Sequence, residues 1–523
     1  MIRVLSHLTV WTVMLVPATI EMARGWRALG DDATISFRAY TVLSFHSPLV
    51  GQFSTTSLRT GHLLYDPGPL QYWLLTFPVH LDSTQGALWG AALVEALVLS
   101  LAIEGLWSAG RVLAGAAVSL IVLDLAWLIP DIFTHPTWNP NFAIPFVVTS
   151  IVLAWVVATG SLGWWPWLVL TASVAVQAEL FFAVFAAIVV VAAPLIGLVR
   201  RGTRPLRWLV LGLIVAAICW APAVVQQIGN GSKGNLSLLL HNRGGALLGP
   251  SFGFRSLAFA GSLRPIWTMH TRESDLLTLK DIGDRDPIAG VLVLVLMAII
   301  ATTAWWFGRR DLATLAMLGF LCAVATVASL SIVPKSLFVN LRYLHFFLWP
   351  VGILIWVVVL WAVTDLLIAI WAHRRLAELP GAWATLPAKQ RNLIYKAVLV
   401  VCILALGALS AQGLLNPDPE QGPQSEVTLD VRAVALIEKA VPRGHVGLLL
   451  YWGSAKDSLL NIFGELFEIG TGAAWQLTAD GWDPALPPWL TTVTGVSYPP
   501  HSHWPTVTVT LFPDKVIVKR TGR

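Results

Sequence analysis

The chain has 523 residues, of which 56% are hydrophobic and only 12% charged, whereas about a quarter are charged in an ordinary soluble protein. That balance excludes a water-soluble globular fold for most of the chain. The formal charge of +5 does not mark a nucleic-acid surface, because Arg200, Arg201, Arg204, Arg207, Arg309 and Arg310 sit between apolar runs.

Apolar runs of about 20 residues, each able to cross a hydrocarbon core of about 30 Å as a helix, recur through the first 412 positions. They predict spans over 2–24, 86–108, 112–130, 140–158, 164–180, 181–198, 208–228, 289–308, 312–333, 343–371 and 394–412, about eleven in all. The first run, from Val4 to Ile20, lacks a small-residue cleavage site ahead of Asp31 and Asp32 and is read as a retained span. Gln177 and Glu179 divide the fifth span from the sixth, and the parity of the crossings depends on that division. Cys219, Cys322 and Cys402 all fall inside these runs without a C-x-x-C pair, which argues against a disulfide framework or zinc site. Small buried apolar groups are the expected role.

Alternate connections carry the basic residues: Arg111, the cluster Arg200 to Arg207, Arg309 with Arg310, and Arg374, Arg375, Lys389, Arg391 and Lys396. The positive-inside rule makes that side cytoplasmic. The amino terminus is then cytoplasmic, and residues 25–85, 131–139, 229–288, 334–342 and everything beyond about 412 face outward. Two outward loops, 25–85 and 229–288, are too long to be mere connections. In the first, Asp31 to Ser47 mixes polar and aromatic groups, and Leu70 to Val79 reads as a short interfacial helix beginning near Pro69. The second holds Gly229 to Asn235 and the acidic stretch Asp281, Asp284 and Asp286.

From Asn416 onward charges return, and Thr, Val and Pro become common. Residues 413–523 are expected to form a soluble extracytoplasmic α/β domain. An amphipathic helix is predicted over 426–440, a buried strand from Val446 to Tyr451, and alternating strands from Thr506 to Val518 around Pro513 and Asp514. The fold class is thus a polytopic α-helical membrane protein over 1–412 with this small domain at its carboxyl end. Strand order is not legible.

The strongest local signal is Asp31-Asp32, just beyond the first span. Adjacent carboxylates repel each other. A cation, a basic substrate group or a proton relieves that repulsion, and one pKa can rise into the range of acid–base work; a solvated pair at the membrane face is the alternative. Asp131-Ile-Phe-Thr-His135-Pro-Thr-Trp138-Asn139-Pro-Asn141 places an acid, an imidazole and two amides beside an indole. This is the chemistry of a carbohydrate subsite, with Asp131 a partner for Asp31. The alternative is a helix-capping loop in which Asn139 and Asn141 satisfy backbone groups.

In Tyr65-Asp66-Pro67-Gly68-Pro69-Leu70-Gln71-Tyr72-Trp73 the prolines and glycine fix a turn, which returns Asp66 toward the same chamber. Tyr72 and Trp73 read equally as interfacial anchors. Gln177 and Glu179 either line the chamber or make structural contacts, since charge at membrane depth is costly unless paired or hydrated. Lys335, Arg342, Tyr343 and His345, with Asn340, put positive charge outside, against the orientation rule. A lipid phosphate accounts for them, and snorkelling to ordinary headgroups is the alternative. No Walker sequence, dinucleotide-binding glycine sequence or H-E-x-x-H occurs, so no nucleotide cofactor is expected.

At Asp31-Asp32-Ala33, followed by a long outward loop, the chain resembles the C-type glycosyltransferase (GT-C) superfamily, in particular actinobacterial arabinofuranosyl and mannosyl transferases. Pro67 to Trp73, Trp220-Ala221-Pro222 and Gly234-Asn235-Leu236 are similar to uncharacterised relatives. The resemblance covers about residues 1–412. It implies transfer of a sugar from a polyprenyl monophosphate donor to a cell-envelope glycan or glycolipid on the extracytoplasmic face, with membrane lipids as the other partners and no nucleic acid. The first-loop acid of the family maps to Asp31 or Asp32, and the basic group at 335–345 to the donor phosphate. Asp31 is then the general base, Asp32 orients the acceptor or helps to hold a divalent cation (Mg, Mn or Ca), Asp131 is an acceptor contact, and Lys335 and Arg342 stabilise the departing phosphate. Two aspartates stand here in place of the Asp-Glu of protein O-mannosyl members, which speaks against that acceptor class. A lipid or solute transporter, or a polysaccharide polymerase or ligase using a diphosphate-linked donor, remains the alternative on the residues alone.

Overall fold

A computed structural model describes the chain except for residues 1, 55–56, 58–61, 202–205, 242–244, 263–281, 336–345, 347, 376–400, 412–423, 453–458, 488–504, 513–514 and 521–523. In lipid every backbone N–H and C=O must find its partner within the segment, so the apolar runs become helices. They are α1 (Ile2–Ala23), α2 (Gly30–Thr41), α3 (Leu70–Leu81), α4 (Gly86–Ser108), α5 (Val112–Leu128), α6 (Asn139–Ala158), α7 (Trp165–Ala178), α8 (Ala183–Arg201), α9 (Leu206–Asn230), α10 (Pro250–Ala260), α11 (Pro287–Trp306), α12 (Arg310–Ser331) and α13 (Leu348–Arg375).

Among the described residues eight helices are long and apolar enough to cross a membrane: α1, α4, α6, α8, α9, α11, α12 and α13. This is fewer than the eleven apolar runs, and length is the reason. α7 has 14 residues, a rise of about 21 Å against a hydrocarbon core of about 30 Å. α5 is likewise a shorter apolar segment, and of the run 394–412 only residues 401–411 are among those described. Of the eight, α6 is the axis: 94% of its apolar window is buried, and it packs against α4, α7, α8 and α12.

One end of the bundle is tied by charge. Asp311 at the start of α12 accepts from Arg111 Nη2 at 2.9 Å and from Arg200 Nη2 at 3.0 Å. The Arg111 guanidinium lies 4.6 Å from the Trp155 ring centroid, and Trp155 Nε1 donates to the Asp311 carbonyl at 3.2 Å. Connections far apart in sequence, grouped above by their charge, thus meet at one end of α6. Asn139 begins the other end, about 30 Å away.

Beyond the bundle, α14 (Gln424–Ala440), β1 (His445–Trp452), α15 (Leu459–Ala479), β2 (Asp483–Ala485), β3 (Thr506–Phe512) and β4 (Lys515–Arg520) build a four-stranded sheet of order β2-β1-β3-β4. β1 runs parallel to β2 and β3, with Leu448 opposite Val507 and Leu450 opposite Val509, and β4 returns antiparallel to β3. α15 makes the crossover that a parallel β1–β2 pair requires. Alternate residues Val446, Leu448, Val507 and Val509 turn inward to join Leu429, Ile437 and Leu477 of the two helices in a hydrophobic core of their own.

Asp311→Ala leaves two largely buried guanidinium groups facing each other and is expected to destabilise the bundle by about 1–3 kcal/mol. Asp365→Ala, which breaks a pair with the exposed Arg309, is expected to cost less than about 1 kcal/mol. Thermal unfolding of the two variants in detergent separates them; equal losses would remove the clasp from the account of this end.

Candidate functional site

The opposite end of the bundle collects carboxylates. α1 ends at Ala23, and Gly30, at φ +51°, turns the chain into α2. Asp31 and Asp32 therefore lie in the first turn of a helix, where the positive end of the macrodipole favours negative charge. The same chain then folds back on itself: Gly51 N donates to Asp66 O, Asp66 N to Gln52 O and Ser54 N to Leu64 O, each at 2.8 Å. That short pairing sets Gln52 and Asp66 side by side.

Asp31 is held at both oxygens. Gln52 Nε2 donates to Oδ1 at 2.7 Å, and Trp138 Nε1 donates to Oδ2 at 3.1 Å. Tyr72 Oη donates to Gln52 Oε1 at 3.0 Å, which fixes the amide so that its nitrogen faces Asp31. Burial raises the Asp31 pKa, and the bonds from Gln52 and Trp138 oppose that rise. Asp32 keeps one carboxylate oxygen buried beside it.

Asp66 is buried next to this pair. Its Oδ1 accepts from Leu180 N at 3.2 Å and its Oδ2 from Asn139 Nδ2 at 3.4 Å. Asn139 Nδ2 also donates to Ala178 O at 2.9 Å. Burial first, then repulsion from Glu179, hold the Asp66 carboxyl well above the usual range, with the Leu180 N–H opposing. Glu179 stands between α7 and the short turn Leu180–Phe182, accepts from Phe181 N at 3.3 Å, and is likewise raised by burial. Arg38, two turns along α2 from Asp31 and 5% exposed, places its charge against two tyrosine rings. Its guanidinium lies 5.0 Å from the Tyr72 ring and 5.9 Å from that of Tyr65, and its Nη2 donates to Val50 O at 3.2 Å.

Asp31, Asp32, Asp66, Trp138, Asn139 and Glu179 are therefore brought to one chamber. Asn139 serves Asp66 and the end of α7 rather than capping α6. Gln177 is close by, but its amide is engaged by backbone: Leu70 N donates to Oε1 at 3.3 Å, and Nε2 donates to Cys219 O at 2.8 Å. It staples the start of α3 to α9. His135 lies half-buried in the loop before α6, with Nδ1 3.2 Å from Thr134 Oγ1. Asp131 opens the one-turn helix Asp131–Thr134, and its side chain lies outside the described residues, as do Arg342, Tyr343 and His345. Lys335 is exposed; its backbone N–H donates to Ala246 O, and among the described residues it shares no hydrogen bond or ion pair with the acids.

Sequence reading passed over Gln52 and Arg38, and marked Asn235 only as part of Gly234-Asn235-Leu236, without a role. Asn235 closes both backbone groups of Tyr65, donating from Nδ2 to its O and accepting from its N at 2.9 Å each. Of the two passed over, only Arg38 carried a signal, since it recurs seven residues after Asp31 on one helical face. No built site for a divalent cation surrounds Asp31 and Asp32 among the described residues. Both Asp31 oxygens already accept from neutral donors, and among the described residues no three His, Cys, Asp or Glu side chains converge.

No protein-family model matches the chain, and no curated protein does. Among solved structures it is similar to ArnT from Cupriavidus metallidurans, crystallised bound to undecaprenyl phosphate. The likeness covers 97% of this chain and 92% of that one, at 17% identity and a TM-score of 0.47. A likeness of that size carries no argument about the site or its chemistry.

Trp138→Phe removes a hydrogen bond that favours the ionised carboxylate, so the Asp31 pKa is expected to move further up. Infrared titration of the protonated carboxyl band, with Asp31→Asn subtracted, reads this directly. An unchanged midpoint would mean that the indole does not tune the acid.

Proposed function

We propose that the chain is a membrane glycosyltransferase of the GT-C kind, moving a sugar from a polyprenyl monophosphate donor to a cell-envelope glycan or glycolipid. The observation that carries this reading is Asp31: a carboxylate in the first turn of an extramembrane helix, fixed at both oxygens and with its pKa raised toward that of a working base. A base that must remove a proton from a sugar hydroxyl needs this combination of fixed geometry and raised basicity. The basic clasp at the other end of α6 supports an outward chamber, with the amino terminus in the cytoplasm and residues 413–523 as an extracytoplasmic domain.

In the reaction Asp31 takes the proton of the acceptor hydroxyl as that oxygen bonds to the anomeric carbon. The bond from that carbon to the phosphate oxygen breaks, its electron pair leaves with the polyprenyl phosphate, and a single displacement inverts the sugar carbon. Trp138, whose N–H is turned to Asp31, offers its ring as the apolar surface for a sugar, and Asp32 orients the acceptor. Asp66 and Glu179, whose carboxyl pKa values burial raises, stand beside Asp31 as further polar contacts for the sugar. Lys335 with Arg342, Tyr343 and His345 neutralises the departing phosphate. Arabinofuranosyl and mannosyl donors are the first candidates, on the resemblance of Asp31-Asp32-Ala33 and its loop.

Purified protein is expected to transfer label from a polyprenyl monophosphate sugar, and Asp31→Asn to lose about 10²–10⁴-fold in rate while unfolding at the wild-type temperature. Because the base acts ionised, activity falls as pH drops through the raised Asp31 pKa, and its acid limb lies above the ordinary carboxylate range. Full transfer by Asp31→Asn would reject the assignment. Consumption of a diphosphate-linked oligosaccharide instead would make the protein a polymerase or ligase, and lipid or solute movement without glycosidic product would make it a transporter.

A further inference from the structure

α2 is a 12-residue helix lying outside the spans, too short to hold its shape without packing partners. α3 covers one side of it, and α15, more than 400 residues later, covers another. The contact face of α15 is Glu468, Thr471, Gly472 and Trp475, spaced as one stripe of a helix. The Glu468 carboxylate lies so close to Gly30 that a Cβ there would collide with it. Thr471 Oγ1, whose single proton goes to Phe467 O at 2.7 Å, packs 3.3 Å from Gly30 O. A Cβ on Gly472 would run into the Leu29 side chain and come within 3.0 Å of Asp430 Oδ1.

Trp475 reaches furthest. It is 2% exposed and belongs to the hydrophobic core of the helical bundle, not to that of its own sheet. Its indole meets Phe37 edge-on at 5.9 Å and Tyr40 edge-on at 5.9 Å. A second tie runs from Arg27, just before α2, to Asp430 of α14 at 3.3 Å. The backbone on both sides of Asp31 is therefore fixed from the carboxyl-terminal unit: Gly30 by Glu468 and Thr471, Phe37 by Trp475.

We infer that α15 is the positioning element for the Asp31 helix, with Trp475 its anchor and the glycines Gly30 and Gly472 permitting the close approach. This rests on the reading of Asp31 as the base. The two hydrogen bonds to Asp31 tolerate only small displacements, and catalysis falls steeply when a reacting group drifts by about an ångström. The carboxyl-terminal unit thus acts on turnover through α2 without touching substrate.

The test compares Trp475→Ala and Trp475→Phe with Leu448→Ala, which weakens the sheet core away from α2. Full-length proteins in detergent are followed by hydrogen exchange of the α2 amides, infrared titration of Asp31, and steady-state transfer. Trp475→Ala is expected to speed α2 exchange about tenfold, shift the Asp31 titration, and lower kcat with the donor KM unchanged. Trp475→Phe restores all three, and Leu448→Ala lowers thermal stability without reproducing them. Wild-type α2 exchange and Asp31 titration in Trp475→Ala, or the same changes in Leu448→Ala, would overturn the inference. If exchange and titration shift as expected while Asp31→Asn transfers at full rate, the positioning stands and the base assignment falls.

Discussion

Hydrocarbon gives the backbone no hydrogen-bond partner, and everything else in this protein is arranged around that constraint. Each long apolar run closes its own hydrogen bonds as a helix, and irregular backbone is confined to the ends of the bundle, where α6 carries one polar cluster at each end. At one end the polar groups are of opposite charge, so Asp311 bridges Arg111 and Arg200 and binds helices together. At the other they are of like charge, and that end holds the candidate site.

Four carboxylates gathered away from water, those of Asp31, Asp32, Asp66 and Glu179, are costly unless each is bonded, protonated or balanced. Asp31 is bonded at both oxygens, Asp66 accepts two N–H groups while burial and Glu179 push its pKa up, and burial raises Glu179 as well. Packing could have removed this cost with apolar side chains. Its retention among buried polar groups is the physical ground for proposing the site as functional.

Much of the chamber was legible because its members are chemically conspicuous. Asp31-Asp32, Asp66, Trp138, Asn139 and Glu179 are polar or acidic groups at the ends of apolar runs, and the folded chain brings them together. Gln177 stood out for the same reason, yet its amide is engaged with the backbone of Leu70 and Cys219, a partnership no local pattern announces. Gln52 and Trp475 were silent, since each acts through long-range contacts and looks ordinary beside its sequence neighbours, and Asn235 stood out only within Gly234-Asn235-Leu236. α15 escaped because its run from Leu459 to Ala479 is a mixture of apolar, small and acidic residues whose two packing faces, one on the sheet and one on α2, blur any single period.

The sequence by itself determined the solvent, the helical class, the approximate ends of the apolar segments and the strands β1, β3 and β4. These follow from hydrophobic length and periodicity, which are local quantities. Only the tertiary structure decided that eight of the described helices reach spanning length, that Asp31 faces Gln52 and Trp138, and that a helix near the carboxyl terminus holds the one that carries the acids. Those facts depend on which surfaces meet across hundreds of residues, and such meetings are settled by packing and charge balance in three dimensions.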